Sequence, residues 1–414
     1  MLMRRALPAL RRVTAAPRVP VAAAALWIRL PVAVRSAAPP RHPGPAYSTQ
    51  QQPSSPYYHN TPAPLDAQPT DMDAPYPDPG ADGFVTASFY SFFAIPEPQV
   101  GALRGQIQLE WARDLGVVDR VYVCAQGINA QLSVPVDNAR ALRAWLEAAP
   151  ALRGRVGPFN WALDHSRAFR ALHVRARPLV AAGGELSLDT LAHEPEYLTP
   201  AAWDRALRSD RDALVVDMRN TYEFRIGRFE GAVCPDVDTF RDELAAVRAM
   251  CEQRGRDAPV YMYCTGGIRC SVAGAMLRAD GFTSVKTLQG GVVAYGRHVR
   301  DSASQASSLF VGKNFTFDKR RGETVTPAVL ATCDQCGAEC DTYANCANIN
   351  CDLLFIQCPS CAEKHRRTCG SAQCIERSQL SHEELIKDRR PPKWPHRERV
   401  RPELVIQNGI GRDP

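Results

Sequence analysis

Two kinds of feature are missing from this 414-residue sequence, and each absence narrows what the protein can be. The apolar stretch Val21–Leu30 is much shorter than the ~20 residues that a membrane-spanning helix needs, and Arg29 interrupts it. The sequence also shows no flavin or nicotinamide motif and no evident set of two histidines and one carboxylate for iron. We therefore expect no membrane partner and no flavin or nicotinamide cofactor.

Acidic residues are missing from the start of the chain, where Asp66 is the first. Arginines are scattered there among alanine, valine and leucine, at Arg4, Arg5, Arg11, Arg12, Arg18, Arg29, Arg35 and Arg41. Arginine-rich, acid-free segments are typical of organelle transit peptides. We predict a transit peptide over residues 1–48, addressed to mitochondria, with a plastid possible and a disordered basic arm that touches RNA as the alternative. Residues 49–83 are predicted to be a disordered linker.

What the sequence does contain is a strand, a glycine loop and a helix in direct succession. Pro259–Tyr263 is an apolar run of strand length, and the helical pattern after the loop ends at Gly281. Between them, Cys264 precedes two glycines and Arg269. Glycines let backbone amides turn inward, and inward amides at a helix start form an anion site. We predict a lowered thiol pKa and a nucleophilic role for Cys264, the alternative being a buried structural cysteine.

This loop resembles the active-site loop of rhodanese (sulfurtransferase) domains. Rhodanese-fold phosphatases usually have five residues between the cysteine and the arginine, whereas this loop has four, so a phosphatase is disfavoured. The resemblance implies catalytic roles for Cys264 and Arg269, an anion-binding loop between them, and supporting residues nearby. The loop residues are Thr265, Gly266, Gly267 and Ile268, and the supporting residues are Asp217, Arg219 and Cys270. Cys270 is expected either to resolve an oxidised Cys264 or to pack at the helix start.

Further strings resemble the bacterial tRNA uridine hydroxylase family, in which two extra domains flank the rhodanese domain. These strings are Gly231–Arg241, Cys264–Cys270 and Phe315–Arg320. The resemblance implies hydroxylation of the wobble uridine in the tRNA anticodon loop at carbon 5, with molecular oxygen and no recognised metal or flavin. This sequence departs from the family pattern at Gln126, where the family has Glu, and at Ser271-Val272, where it has Glu-Lys.

Two other functions compete with hydroxylation. One is a sulfurtransferase that carries a persulfide on Cys264. The other is a zinc-stapled binding module with an inert rhodanese domain, which the intact Cys264 and Arg269 disfavour. For the hydroxylase, we hypothesise a conjugate attack of Cys264 on C6 of uracil, which would activate C5. Such an attack needs an unstacked base, and an anticodon loop permits one.

The order of elements predicts two folded domains before the cysteine-rich region. Residues 84–180 show a βαββαβ pattern, which favours an α+β ferredoxin-like domain. Its last strand is expected over Ala168–Val174, and Ala181–Glu196 is expected to be a linker. Residues 198–304 alternate strands and helices, which favours an α/β rhodanese domain with a largely parallel sheet, opened by a helix capped at Thr199.

A small cysteine-rich domain is predicted over residues 325–380. Cys333-x2-Cys336 and Cys358-x2-Cys361 are spaced like zinc knuckles, so these four residues are predicted to bind structural zinc, with disulfides as the alternative. A possible second set of ligands is Cys340, Cys346, Cys369 and Cys374. Residues 381–414 form a basic tail that either contacts tRNA phosphates or is simply solvated.

Overall fold

A computed structural model of the chain describes residues 76–157, 159–179, 187–302 and 307–387. Three predictions lie wholly or largely outside these segments. They are the transit peptide, most of the linker 49–83 and most of the tail 381–414. None of the helices within them combines the length and the apolar character that crossing a bilayer requires.

The N-terminal domain is a five-stranded sheet with two helices packed on one face. Its elements are β1 (Phe84–Phe92), α1 (Glu97–Arg113), β2 (Val118–Cys124), β3 (Gly127–Pro135), α2 (Val136–Ala148), β4 (Asn160–Trp161) and β5 (Leu172–Ala176). Val100, Leu103, Ile107 and Trp111 recur at helical spacing and are the buried residues of α1. Residues of β1 alternate between the two faces, so Thr86, Ser88 and Tyr90 share the face away from this core.

The α+β ferredoxin-like class is confirmed, and the strand predicted over Ala168–Val174 is present as β5, but one further strand was not predicted. The strand order is β4-β1-β3-β2-β5. The two-residue β4 takes the edge position beside β1, while β5 pairs in parallel with β2 at the opposite edge. The predicted βαββαβ order therefore missed β4, because two residues are too few to produce an alternating pattern.

The rhodanese domain is built on a parallel sheet of order β6-β10-β9-β7. Its elements are α3 (Leu188–Leu191), β6 (Glu196–Leu198), α4 (Pro200–Ser209), β7 (Leu214–Asp217), α5 (Thr221–Ile226), β8 (Gly227–Phe229), α6 (Phe240–Arg254), β9 (Val260–Tyr263), α7 (Ile268–Ala279), β10 (Val285–Leu288) and α8 (Gly291–Asp301). The predicted cap is present, since Thr199 Oγ1 accepts a hydrogen bond from the backbone amide of Ala202. The predicted linker 181–196 was partly wrong, because it contains α3 and the first residue of β6.

The C-terminal region is tied to the rhodanese domain by a small sheet. β11 (Phe310–Asn314) pairs with both β8 and β12 (Glu323–Thr324). The remainder consists of the hairpin β13 (Tyr343–Asn345) and β14 (Leu354–Ile356) and the short helices α9 (Pro359–Lys364), α10 (Ala372–Arg377) and α11 (His382–Lys387). Tyr222 on α5 packs edge-to-face on Phe315 and Tyr343, so the cysteine-rich region supports α5 directly.

Candidate active site at the Cys264 loop

Cys264 lies immediately after β9 and before the first turn of α7. The amide of Gly267 donates a hydrogen bond to Cys264 Sγ over 3.1 Å. The backbone amides at the start of α8 hold the loop from its other side. Val292 donates to the carbonyl oxygen of Cys264 at 2.9 Å, and Val293 donates to that of Thr265 at 3.1 Å. The loop is thus clamped between the N-terminal ends of two helices, where partial positive charge favours an anion.

The Cys264 thiol is acidic although its side chain is only 1% exposed. Burial alone would raise its pKa. A hydrogen bond from the Cys270 thiol, the charge of Arg269 and the backbone amides of Cys270 and Gly267 outweigh burial and lower the pKa to about 5. Cys264 is therefore a thiolate at neutral pH, which is the nucleophilic and oxidisable form of cysteine.

Cys270 is the partner of this thiolate. It is fully buried, and burial together with its hydrogen bond to Cys264 raises the pKa of its own thiol well above the usual value. The two cysteines therefore divide the roles, with Cys264 ionised and Cys270 protonated. Cys270 also packs in the core beneath α7. A protonated donor in contact with Sγ can stabilise the Cys264 thiolate without any redox role.

Arg269 is held in the loop by Glu223, a residue that the sequence analysis did not place in the site. Arg269 Nη1 and Nη2 each lie 3.2 Å from an oxygen of Glu223, in a two-pronged arrangement. The Glu223 side chain is fully buried. Burial raises the pKa of its carboxyl, but Arg269, Arg219 and the amide of Asn220 lower it further, so that the net effect is a lowered pKa. Thr265 joins the same network by donating to Glu223 Oε1 at 2.8 Å.

Asp217 and Arg219 form a second, deeper ion pair. Arg219 Nη2 is 2.7 Å from Asp217 Oδ2, and both side chains are fully buried. Arg219 also donates to the carbonyl oxygen of Gly227 at 2.6 Å and lies over the Tyr263 ring. This pair therefore fixes the end of β7 against β8 beneath the loop, and it does not reach Cys264 itself.

Only one of the two loop glycines is demanded by the backbone. Gly267 has φ +101°, and an added Cβ would lie 3.0 Å from the Tyr90 hydroxyl. A Cβ on Gly266 would meet only Ser88 Oγ, at 3.7 Å, which is an ordinary contact. The expectation that both glycines are needed to turn the amides inward holds for Gly267 alone.

The N-terminal domain contributes Tyr90 to the edge of the site. Its hydroxyl is 2.8 Å from Ser271 Oγ at the start of α7, and Tyr197 donates to the same oxygen at 3.1 Å. Tyr90 is far from the loop in sequence, and only the fold brings it there. A second residue missed by the sequence analysis is Glu243 on α6, whose buried Oε1 has no partner among the described residues. Burial, opposed by Arg269, raises the pKa of Glu243 to about 8.

The cysteine-rich region brings eight thiols into two compact groups. One is the predicted set Cys333, Cys336, Cys358 and Cys361, and the other is Cys346, Cys351, Cys369 and Cys374; within each group the sulfur atoms lie within 4.8 Å of one another. The second set predicted from sequence was wrong in one member, because Cys351 occupies the place given to Cys340. Cys340 instead packs with the apolar residues near Tyr343.

The first cysteine group has the chemistry and the spacing of a structural zinc site. Cys336 Sγ and Cys358 Sγ are 3.7 Å apart. A tetrahedron with Zn–S bonds of about 2.3 Å has edges of roughly 3.8 Å. The amides of Cys358 and Cys361 point at sulfur atoms of the group, at 3.4 and 3.5 Å, as donors to thiolates do. All eight cysteines are free thiols in the structure.

Three family models match successive parts of the chain. They are the UPF0176 acylphosphatase like domain over residues 84–180, the rhodanese-like domain over 200–298 and the rhodanase C-terminal domain over 311–375. The tRNA uridine(34) hydroxylase of Escherichia coli O6:K15:H31 strain 536 is 44% identical over 294 residues, which is 70% of this chain and 81% of that protein. The chain belongs to the tRNA uridine(34) hydroxylase family.

A second curated relative carries the same name. The tRNA uridine(34) hydroxylase of Enterobacter sp. strain 638 is 40% identical over 72% of this chain and 84% of its own length. Among solved structures, the rhodanese-like domain from Anabaena sp. is 21% identical, with a TM-score of 0.23, and covers 29% of this chain and 80% of its own. The predicted family and fold class are thus confirmed by the curated relatives and the family models.

The structure gathers most of the predicted site residues at one place. Gly267 and Cys270 bond Cys264, and Thr265 and Arg269 are joined through Glu223. Ile268 opens α7, Gly266 faces the N-terminal domain, and the Asp217–Arg219 pair lies beneath. The four zinc-knuckle cysteines converge in a separate group. The roles of the loop residues in the reaction, and of the four cysteines in binding zinc, stay predictions.

Proposed function

We propose that this enzyme hydroxylates the wobble uridine of tRNA at carbon 5, using molecular oxygen and the Cys264 thiolate. A single observation carries the chemical part of this proposal. Cys264 has a lowered pKa and is hydrogen-bonded between the N-terminal ends of α7 and α8. The names of the curated relatives support the reaction and the substrate. Insertion of one oxygen atom from O2 sends the other to water and consumes two electrons and two protons, which a thiol reductant in the assay would supply.

The burial of Cys264 limits how the thiolate can act. With a side chain that is 1% exposed, Sγ cannot meet C6 of a uracil ring unless the loop or Tyr90 moves. Our hypothesis of conjugate attack therefore requires an opening motion on tRNA binding. A sulfenic acid would require less space, since it forms when a peroxide transfers one oxygen atom to the thiolate and leaves as water or an alcohol.

Persulfide transfer is the second candidate function, and the same burial favours it. A persulfide adds a single sulfur atom to Cys264, so it needs far less space around a buried Sγ than a nucleobase does. Against it stands the family assignment, since the curated relatives are named hydroxylases. Both candidate reactions start from the same thiolate, so the nature of the product separates them.

The discriminating experiment is mass spectrometry of tRNA nucleosides from cells that lack the protein. Cells complemented with the wild-type chain should contain a uridine product heavier by one oxygen atom, and cells with Cys264→Ala should not. Cys340→Ala is a matched control, because Cys340 lies outside both the loop and the two thiol groups. A thiolated uridine in place of the oxygenated one would establish the sulfurtransferase instead.

We further propose that zinc occupies both cysteine groups and is structural. Four thiols that converge on one point can each lose a proton to solvent and bind one divalent ion as thiolates, whereas two disulfides would need only pairwise contacts. The cysteine-rich region packs against α5, and α5 carries Glu223. Zinc would therefore help to position the Glu223–Arg269 pair. Metal analysis of protein purified without chelator should give two zinc ions per chain, and a metal-free preparation with full activity would reject this role.

For the location of the enzyme, we propose mitochondria, with a plastid as the alternative destination. The support is the acid-free, arginine-rich composition of residues 1–48. A fusion of residues 1–60 to a fluorescent protein should be imported into the organelle and lose the segment. A diffuse cytosolic signal would favour the basic-arm interpretation and a cytosolic tRNA substrate.

A further inference from the structure

A cavity of about 80 Å³ lies between the N-terminal sheet, the Cys264 loop and the segment that follows β11. At ~10–15 Å³ for each water molecule it has room for several, which is the scale of a single pyrimidine ring. Its wall on the rhodanese side includes Thr265 and Gly266, the two residues directly after Cys264. The rings of Phe169 and Phe317 line it as well, and aromatic faces are common stacking surfaces for unstacked bases.

Asp119 lines this cavity and is the most unusual residue in the N-terminal domain. Its side chain is 1% exposed, yet among the described residues no side chain donates a hydrogen bond to either carboxyl oxygen, and the backbone amide of Arg120 lies too far away or too poorly aligned to make a good one. Its backbone has φ +120°, a conformation that residues with a side chain rarely adopt. Burial raises the pKa of its carboxyl to about 9 and the charge of Asp318 raises it further, whereas the charge and the backbone amide of Arg120 lower it.

The charges facing Asp119 do not explain its burial as an ion pair. Arg320 and Asp318, both on the cavity wall, bond to each other at 2.5 Å. Arg320 also binds Glu323 at 2.6 Å, so its charge is already shared by two carboxylates. A strained, unpaired carboxyl has no stabilising role in the free protein. Such residues persist where a ligand supplies the missing partner.

A protonated carboxyl offers one donor and one acceptor side by side. The imide edge of uracil offers the complement, an N3–H donor next to a carbonyl acceptor. We propose that this cavity receives the uracil base of the substrate tRNA and that Asp119 pairs with the N3–H edge of the base. The inference rests on the proposed function for the identity of the RNA. Binding there would set the base against Thr265 and Gly266, next to the Cys264 loop.

The test is a chemical double-mutant cycle on binding. The full-length protein is titrated into a fluorescent RNA hairpin of an anticodon stem-loop that carries either uridine or 3-methyluridine at the wobble position. Wild type should bind the methylated RNA about tenfold to a hundredfold more weakly, because methylation removes the N3–H donor. Asp119→Ala should weaken binding of the uridine RNA by a similar factor and lose the discrimination.

Three further variants separate recognition from folding. Asp119→Asn keeps one donor and one acceptor and should retain most of the affinity and the discrimination. Asp119→Gly relieves the positive φ, so it should melt at a higher temperature than wild type while losing the discrimination. Asp137→Ala, an exposed carboxylate on α2, should behave as wild type.

Equal discrimination by wild type and Asp119→Gly would overturn the inference and leave Asp119 as a merely strained residue. If wild type distinguishes uridine RNA from 3-methyluridine RNA but forms no hydroxylated nucleoside, the proposed reaction is rejected and the base site is kept. If wild type hydroxylates uridine but binds the two RNAs equally, the base site alone is rejected. If it does neither, the proposed reaction and the base site are both rejected, so the two failures are distinguishable.

Discussion

Replacing Arg269 by alanine perturbs two properties at once, and the structure predicts a different size for each. The thiolate of Cys264 loses a positive neighbour, which should raise its pKa from about 5 by about 1–3 pH units. The carboxylate of Glu223 loses its bidentate partner inside the protein, and breaking a buried pair costs about 3–5 kcal/mol. With roughly 2–4 °C for each kcal/mol, the melting temperature should fall by about 6–20 °C.

A second substitution separates these effects. Glu223→Gln in the Arg269→Ala background removes the unpaired buried charge, so most of the lost melting temperature should return. The Cys264 pKa should stay high, because Arg269 is still missing. Arg278→Ala, an exposed arginine on the same helix, is the matched control. It bonds the carbonyl oxygens of Phe282 and Thr283 after the helix, so its loss should leave the Cys264 pKa unchanged and lower the melting temperature by much less.

The assay is the pH dependence of Cys264 alkylation, followed by peptide mass spectrometry, with thermal melts in parallel. The folded-state pKa of Cys264 lies below its unfolded value, so the thiolate stabilises the fold fully above the unfolded value of about 9. That stability is lost as the pH falls through about 5. An alkylation midpoint that stays near pH 5 in Arg269→Ala would refute the electrostatic role of Arg269. A double variant that melts as low as Arg269→Ala would refute the account of Glu223.

Three other predictions follow from the same contacts. Cys270→Ala should raise the alkylation midpoint of Cys264, because the hydrogen bond from the Cys270 thiol is lost. Cys270→Ser keeps a donor and should change the midpoint little. A loss of activity in the serine variant would favour a resolving role. Gly267→Ala should lower activity and stability because of its positive φ and the nearby Tyr90 hydroxyl, whereas Gly266→Ala should be tolerated, which kinetics and melts can check. Removal of zinc by a strong chelator should lower the melting temperature and slow the reaction through α5, and readdition of zinc should restore both; a chelated protein with unchanged melting would contradict the structural role.

The sequence allowed the loop to be predicted well because its elements are local. A strand, a glycine with positive φ and a helix start follow one another within about ten residues, so Cys264 and Arg269 could be placed from pattern alone. The parallel sheet and the first thiol group follow from equally local signals, namely alternation of elements and Cys-x2-Cys spacing.

The residues that the sequence analysis missed depend on long-range contacts. Tyr90 reaches Ser271 across 181 positions, and Glu223 reaches Arg269 across 46. Asp119 looked like any polar residue in a strand, since neither its φ nor its lack of partners is visible in a sequence. Cys351 was overlooked in favour of Cys340, because spacing alone does not reveal which thiols of a loop-rich region face one another.

The central claim is that the Cys264 thiolate enables transfer of one oxygen atom from O2 to the wobble uridine. The most direct measurement is mass spectrometry of nucleosides after a reaction of purified protein, tRNA and a thiol reductant under ¹⁸O2. The account predicts a uridine product that carries one ¹⁸O atom with wild type and no product with Cys264→Ala. Product without ¹⁸O, or an equal yield of labelled product from the alanine variant, would contradict it.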